Sequence, residues 1–171
     1  MDELSRKVLA QLERRCSKCE CCSSDIFDRA VSLLVKSYGD AADMDAVRKQ
    51  AGEILGSLQT DGYVDDLRYA SAFAREKSSI TGWGPVKIRF ALRRKNIGGD
   101  VIENALSEVD AGKSDEKLHR LLAAKWKTLS APDGGMLPDA KYKLIKFALS
   151  RGYEYEEVKD AVEAVIRNGQ S

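Results

Sequence analysis

Residues 85–109 read PVKIRFALRRKNIGGDVIENALSEV and residues 141–165 read KYKLIKFALSRGYEYEEVKDAVEAV. Laid over each other at an offset of 56, Lys87, Ile88, Leu92, Lys95, Ile97, Ile102, Ala105, Leu106 and Val109 fall on Lys143, Leu144, Ala148, Arg151, Tyr153, Val158, Ala161, Val162 and Val165. In both stretches the apolar residues recur three and four apart, the interval that keeps side chains on one face of an α-helix rather than of a strand. Two helix-turn-helix units therefore share one pattern of core, charge and turn positions.

Working outward, an offset of 51 sets Leu55, Leu58, Leu67 and Ala70 on Leu106, Val109, Leu118 and Leu121, so the helix pairs on either side of residues 85–109 also match. The simplest account is an all-α fold, an elongated array of three tandem three-helix repeats, because a unit of about 50 residues buries too little apolar surface alone and gains stability by stacking. The expected divisions are 1–60, 61–110 and 111–171, the first Cys-rich and the second basic.

Local signals agree. Met44, Val47, Ala51, Ile54, Leu55 and Leu58 form a stripe that closes at Asp61-Gly62, where glycine suits a left-handed C-terminal cap. The next helix is expected from an Asp65 N-cap to about Lys77, burying Leu67, Ala70 and Ala74. Gly82 and Gly84 permit a break, and Pro85 suits the first turn of a helix reaching about Lys95. Asn96 to Gly99 stop that helix, after which Asp100 and Glu103 stand three apart as an approximate capping box. Leu118, Leu121, Leu122, Trp126 and Leu129 mark a further helix, and residues 131–138, with two prolines and two glycines, read as a linker.

The composition is that of a folded chain: of 171 residues, 43% are hydrophobic and 32% charged, with a net charge of +1, which argues against intrinsic disorder. No apolar run approaches the ~18 to 20 residues of a membrane span, and Met1 to Lys7 lacks a signal-peptide pattern. A cytoplasmic protein with reduced thiols is expected. The near-zero charge hides an asymmetry, since residues 62–99 carry 8 basic and 3 acidic side chains whereas each flanking segment is net negative by two. Such a basic island is a footprint for phosphate or for an acidic protein surface, or simply a solvated helix face.

Little in the chain suggests catalysis. His119 is the single histidine, no serine or cysteine stands in a nucleophile motif, and neither GxxxxGK[ST] nor GxGxxG occurs, so neither enzymatic activity nor a cofactor is expected. Cys16, Cys19, Cys21 and Cys22 crowd into seven residues. A structural zinc site normally closes with a distant second ligand pair, and only His119 is on offer, so no metal is expected and the thiols read as small residues at a helix junction. On a helix from Pro85 to Lys95, Ile88, Ala91 and Leu92 form one face and leave Lys87, Arg93 and Arg94 on the other, near Arg89, with Arg68 and Arg75 on the preceding helix. Guanidinium forks fit phosphate or carboxylate, and Trp83 across the turn adds an aromatic ring.

The run from Gly62 to Ala70 (GYVDDLRYA), followed by Phe73-Ala74-Arg75, Lys77, Trp83-Gly84, Lys87-Ile88 and Leu92 to Ile97 (LRRKNI), resembles the central repeat of the RecX family of bacterial regulatory proteins. Lys143-Leu144 and Phe147 to Tyr153 (FALSRGY) resemble the family's closing segment, with its arginine-glycine-aromatic turn before the last helix. The central turn has Asn96 where the family usually has glycine, a substitution compatible with the left-handed conformation.

The resemblance implies tandem three-helix repeats and a non-enzymatic modulator of the RecA recombinase. Such a protein binds RecA filaments on single-stranded DNA and inhibits ATPase, strand exchange and co-protease activity, shaping recombination and the SOS response. A monomer without membrane contact is expected. The residues expected to make the RecA or DNA contact are Arg68, Lys87, Arg89, Arg93, Arg94 and Lys95, with Tyr69 and Trp83 as core or support. Lys95 shares its repeat position with Arg151, so it also reads as a structural cation at a helix C-terminus. Two other readings stay open at this point: a stand-alone helical nucleic-acid-binding protein, and a zinc or redox sensor built on Cys16 to Cys22.

Overall fold

The computed structural model describes residues 1–129 and 138–169. The regular structure of these residues is helical: α1 (Glu3–Cys16), α2 (Ser23–Tyr38), a single 3₁₀ turn (Gly39–Ala41), α3 (Met44–Thr60), α4 (Asp66–Ser79), α5 (Pro85–Arg93), α6 (Gly99–Ser107), α7 (Ala111–Leu129), α8 (Ala140–Ser150) and α9 (Tyr155–Gly169). All but the last residue of the expected linker at 131–138 lies outside the described residues. None of the described helices is long and apolar enough to cross a membrane. The described residues fall into two compact units, one of residues 1–72 with 93–102 and one of residues 73–92 with the described residues from 103 onward.

In the first unit α1, α2 and α3 pack on one another around Val8, Leu12, Ile26, Ala30, Leu34, Val47, Ala51, Ile54 and Leu58. The spacing of four and four in Ile26, Ala30 and Leu34, and of four, three and four in Val47 to Leu58, keeps these side chains on one stripe per helix. Asp2 caps α1 by accepting the Ser5 N–H at 2.7 Å, which holds its carboxyl below the usual range. Its other oxygen accepts from Gln50 at 2.9 Å and from the Tyr38 hydroxyl at 3.3 Å, tying the three helices at one end. At the C-terminus of α3 the Tyr63 N–H reaches the Leu58 carbonyl at 2.8 Å and the Gly62 N–H reaches Gln59 at 3.1 Å, with Gly62 at φ 76°. That is the paired closure of a left-handed glycine cap.

In the second unit α7, α8 and α9 pack around Leu118, Leu122, Trp126, Leu144, Ala148, Tyr153, Val158 and Val162. The N-terminus of α5 is docked on the end of α8. Gly84 donates its N–H to the Arg151 carbonyl at 2.8 Å and Val86 donates to Gly152 at 2.9 Å, so two first-turn donors of α5 are satisfied by the carbonyls that end α8. The approach is close enough to require glycine on both sides. A Cβ on Gly84 would lie 2.3 Å from the Gly152 carbonyl oxygen, and one on Gly152 would lie 2.2 Å from the Lys87 Cβ.

Gly39, Asn96 and Gly152 all have positive φ, at 58°, 56° and 87°, and each follows the second helix of a successive set of three. Burial also matches at the offset of 56: Ile88 with Leu144, Leu92 with Ala148, Ile97 with Tyr153, Ile102 with Val158 and Ala105 with Ala161 are all buried.

Three local expectations are corrected. Leu67 is 39% and Met44 45% exposed; each sits in the first turn of its helix, where the side chain leans back past the helix start and away from the buried stripe. α5 stops at Arg93 rather than Lys95, because the left-handed Asn96 already demands a turn over 94–96. α6 begins at Gly99, with the Ile102 N–H on the Gly98 carbonyl at 3.0 Å, so Asp100 lies inside the first turn and is not the N-cap.

Candidate interaction surface

α5 is the shortest route from sequence to surface. Pro85 starts it without wasting a donor, the hydrogen bonds of Gly84 and Val86 to α8 fix its origin, and buried Ile88 and Leu92 fix its rotation. With those two turned inward, Val86 (41% exposed), Phe90 (63% exposed) and Arg93 are left along the outer side of this one helix at spacings of four and three. Exposed Arg94 follows directly in the turn.

The six cations singled out from the sequence fall into two chemical groups. Arg68 is held: its Nε donates to both Glu20 oxygens at 2.8 Å and its Nη2 donates to the Gly62 carbonyl at 3.0 Å, bracing the start of α4 against the α3 cap. Arg89 makes a forked pair with Glu103 at 2.7 and 3.2 Å, with Glu154 3.8 Å away. Lys95 Nζ lies 2.6 Å from Asp25, and its carbonyl accepts the Ser24 hydroxyl at 2.7 Å. In each case the neighbouring carboxylate raises the cation's pKa above its ordinary value, through Glu20 for Arg68, Glu103 for Arg89 and Asp25 for Lys95. These three charges are largely neutralised where they stand.

The other three are available. Lys87 Nζ rests 4.5 Å from the Trp83 ring centre, a cation-π contact, and has no carboxylate within ion-pair distance among the described residues. Arg93 and Arg94 are exposed and have no carboxylate within ion-pair distance among the described residues. Trp83 itself packs edge-on to Phe73 with ring centres 6.2 Å apart, and Tyr69 is half-buried.

Phe90 and Val86 are the surface residues that a charge-led reading passes over. Their signal was present in the phase of the helix: once Ile88 and Leu92 are inside, residues 86 and 90 point out, and an aromatic residue there exposes apolar surface that the core does not use.

The cysteines lie at the α1–α2 corner. Cys21 and Cys22 are buried, Cys16 is half-buried and Cys19 is exposed, all as free thiols. Burial raises the pKa of Cys16 and Cys22 and pushes the Cys21 thiol up to about 12, the opposite of an activated thiolate. Among the described residues no three His, Cys, Asp or Glu side chains are grouped to hold a metal ion. His119 sits on α7 with Nδ1 3.0 Å from the Asp115 carbonyl oxygen of its own preceding turn.

Comparison with known proteins bears on these helices directly. Residues 65–106, the span of α4 to α6, match the family model described as RecX, second three-helix domain. The chain is 34% identical over 138 residues to Regulatory protein RecX of Clostridium botulinum (strain Eklund 17B / Type B), covering 78% of this chain and 58% of that one. It is 28% identical over 135 residues to Regulatory protein RecX of Escherichia coli (strain SE11), covering 77% and 76%. A crystal structure of RecX from Lactobacillus salivarius superposes with a TM-score of 0.76 at 17% identity, covering 98% of this chain and 99% of the other, which establishes the shared all-helical fold. The chain thus spans little more than half of the Clostridium protein, and those relatives are named as regulators. Through its central helices and along 78% of its length, this chain is similar to the RecX family of regulatory proteins.

Proposed function

We propose that the chain binds the RecA recombinase in its filament on single-stranded DNA and inhibits its ATPase, strand-exchange and co-protease activities, acting as a cytoplasmic monomer with no chemistry of its own. Similarity to the RecX regulatory proteins supports the RecA reading. The observation that carries the choice of surface is the outer side of α5, where exposed Phe90 and unpaired Arg93 and Arg94 lie inside the matched span 65–106. An apolar ring beside two free guanidinium groups suits a partner that offers both carboxylate or phosphate and a flat apolar face.

The three-repeat organisation, 1–60, 61–110 and 111–171, belongs to the same reading. It is supported by the positive φ at Gly39, Asn96 and Gly152, 57 and 56 residues apart, and by the description of the matched span as a second three-helix domain.

The test is the RecA ATPase rate on single-stranded DNA with increasing amounts of this protein, beside an Arg93→Glu/Arg94→Glu variant. Suppression well below the RecA concentration, relieved in the variant, is the expected result. Suppression retained by the variant would move the contact off α5, and no effect on RecA would remove the reading. DNA binding without RecA, weakening steeply with salt, would assign the arginines to phosphates; a shallow salt slope would assign them to acidic RecA surface.

A further inference from the structure

Two adjoining cavities in the second unit are not used by the surface on α5. The larger, about 510 Å³, is lined by the cations Arg75 of α4 and Lys113, Lys117 and Arg120 of α7, and by the carboxylates Glu108, Asp110 and Glu116. The smaller, about 140 Å³, is lined by Trp83, Pro85, Ile88, Leu106 and Val109, with the polar side chains of Ser114 and Glu157. Ser78 and Val109 line both, so a trough of mixed charge, with one more cation than carboxylate, and an apolar slot meet at a shared wall.

The charges of the trough are not equivalent. Arg75 lies 4.0 Å from Glu108, and Lys113 lies 3.9 Å from Asp110, whose other oxygen caps α7 by accepting the Lys113 N–H at 3.1 Å. Lys117 and Arg120 have no carboxylate within ion-pair distance among the described residues. They stand three apart on α7 and face the same cavity. The stem of Lys117 lies so close to Gly82 that a Cβ there would be 3.3 Å from its Cε, so the α4–α5 turn fixes where this ammonium can reach. In the slot, Leu106 and Val109 are only partly buried although their repeat partners Val162 and Val165 are core residues, which leaves apolar wall exposed to an occupant.

We propose that this cleft binds a nucleoside phosphate, either free or as one unit of a single strand, with the base in the apolar slot and the phosphate between Lys117 and Arg120. Two unpaired cations one helical turn apart supply charge-assisted hydrogen bonds to an anion. The slot beside them has apolar walls and a few polar groups, the make-up of a small-ligand site. Glu157, whose Oε2 accepts the Glu154 N–H at 3.4 Å, has its other oxygen as an acceptor for bases that carry an exocyclic amino group, as carboxylates do when they read cytosine. No glycine-rich loop is involved, so the phosphate is held by side chains alone. The proposal goes beyond the RecA reading, and no RecA enters its test.

Trp83 lines the slot and reports on it by fluorescence, with a Trp83→Phe chain assigning the signal. Titration of the full chain with AMP is expected to give saturable quenching that vanishes in Trp83→Phe. Affinity measured by calorimetry should weaken about tenfold or more in Lys117→Glu/Arg120→Glu, a change of exposed or half-exposed side chains that leaves the helical circular dichroism intact. Adenosine and inorganic phosphate alone should each bind more weakly than AMP, and UMP, which lacks the amino group, should bind more weakly until Glu157→Ala removes the preference. A short oligo(dA) that binds where AMP does not would identify the strand as the source. Absence of binding by AMP and oligo(dA) alike, or binding that the double charge reversal leaves unchanged, would overturn the proposal.

Discussion

α5 and α8 occupy the same place in the sequence pattern, 56 residues apart, and they differ in what their ends and outer sides must do. Both bury two residues four apart, Ile88 and Leu92 in one and Leu144 and Ala148 in the other. Both end before a residue of positive φ, Asn96 or Gly152. Yet Gly152 is pressed against the Lys87 backbone while Asn96 is exposed in its turn. Outside, α5 presents Val86, Phe90 and Arg93 where α8 presents Tyr142, Lys146 and Leu149. A repeat therefore fixes conformation at equivalent positions, and contact decides separately which residue can serve there.

The sharpest way to break this comparison is to put one side chain at both turns. Gly152→Ala must adopt a left-handed conformation and also find room where its Cβ would lie 2.2 Å from Lys87 Cβ and 2.5 Å from Lys87 N. Backbone cannot swing aside as a flexible side chain can, so conformational and overpacking costs add to about 3 kcal/mol or more. Asn96→Ala meets only the conformational cost, about 1 kcal/mol, and Asn96→Gly is expected within about 0.5 kcal/mol of the parent. Urea denaturation of the three variants checks the ranking. Equal losses in Gly152→Ala and Asn96→Ala would show that the docking of α5 on α8 is loose.

The comparison also shows what was legible in the sequence. Helix positions, the offset of 56 and the cap at Gly62 follow from periodicity and local backbone chemistry, which act within a few residues. The role of Arg89 does not. Its repeat partner is Ile145, a residue half-buried against the core, and Glu103 and Glu154, which engage Arg89, lie 14 and 65 residues away. Arg68 likewise finds Glu20 at a distance of 48 residues. A charge count over 62–99 registers these cations and cannot see the carboxylates that fold back to meet them. Phe90 was hidden for the opposite reason, since an aromatic residue in a helical run is read as core until the phase set by Ile88 and Leu92 excludes it.

Exchange at that middle position gives the intermediate effect. Arg89→Leu brings α5 closer to α8 in composition but removes the guanidinium that Glu103 and Glu154 share. Both carboxylates are more than half exposed, so solvent absorbs most of the loss, and a destabilisation of about 1 kcal/mol or less is expected by thermal or urea unfolding. Under the proposed function, the same substitution should leave inhibition of RecA nearly unchanged, because Arg89 is engaged within the fold. Strong relief of inhibition at unchanged stability would return Arg89 to the contact surface.

The smallest effect on stability and the most informative on function is expected from the outer residues. Phe90→Ala removes a ring that is 63% exposed, and Tyr142→Ala removes one that is 65% exposed at the α8 position equivalent to Val86. Each should shift stability by no more than about 0.5 kcal/mol, since little apolar area is returned to water that was not already there. Their consequences for RecA should differ. If the α5 side is the contact, Phe90→Ala raises the amount of protein needed to suppress the RecA ATPase, whereas Tyr142→Ala leaves it where it was. The two rings differ in company rather than in exposure: Phe90 has Arg93 one turn away, with no carboxylate on it among the described residues, and Tyr142 has Lys146 and no arginine on the outer side of α8. An apolar anchor that brings a cationic fork with it can recognise an acidic or phosphorylated partner more strongly than either part alone. Loss of inhibition in Tyr142→Ala with Phe90→Ala unaffected would place the contact on α8, and would show that ring exposure outweighs the arginines.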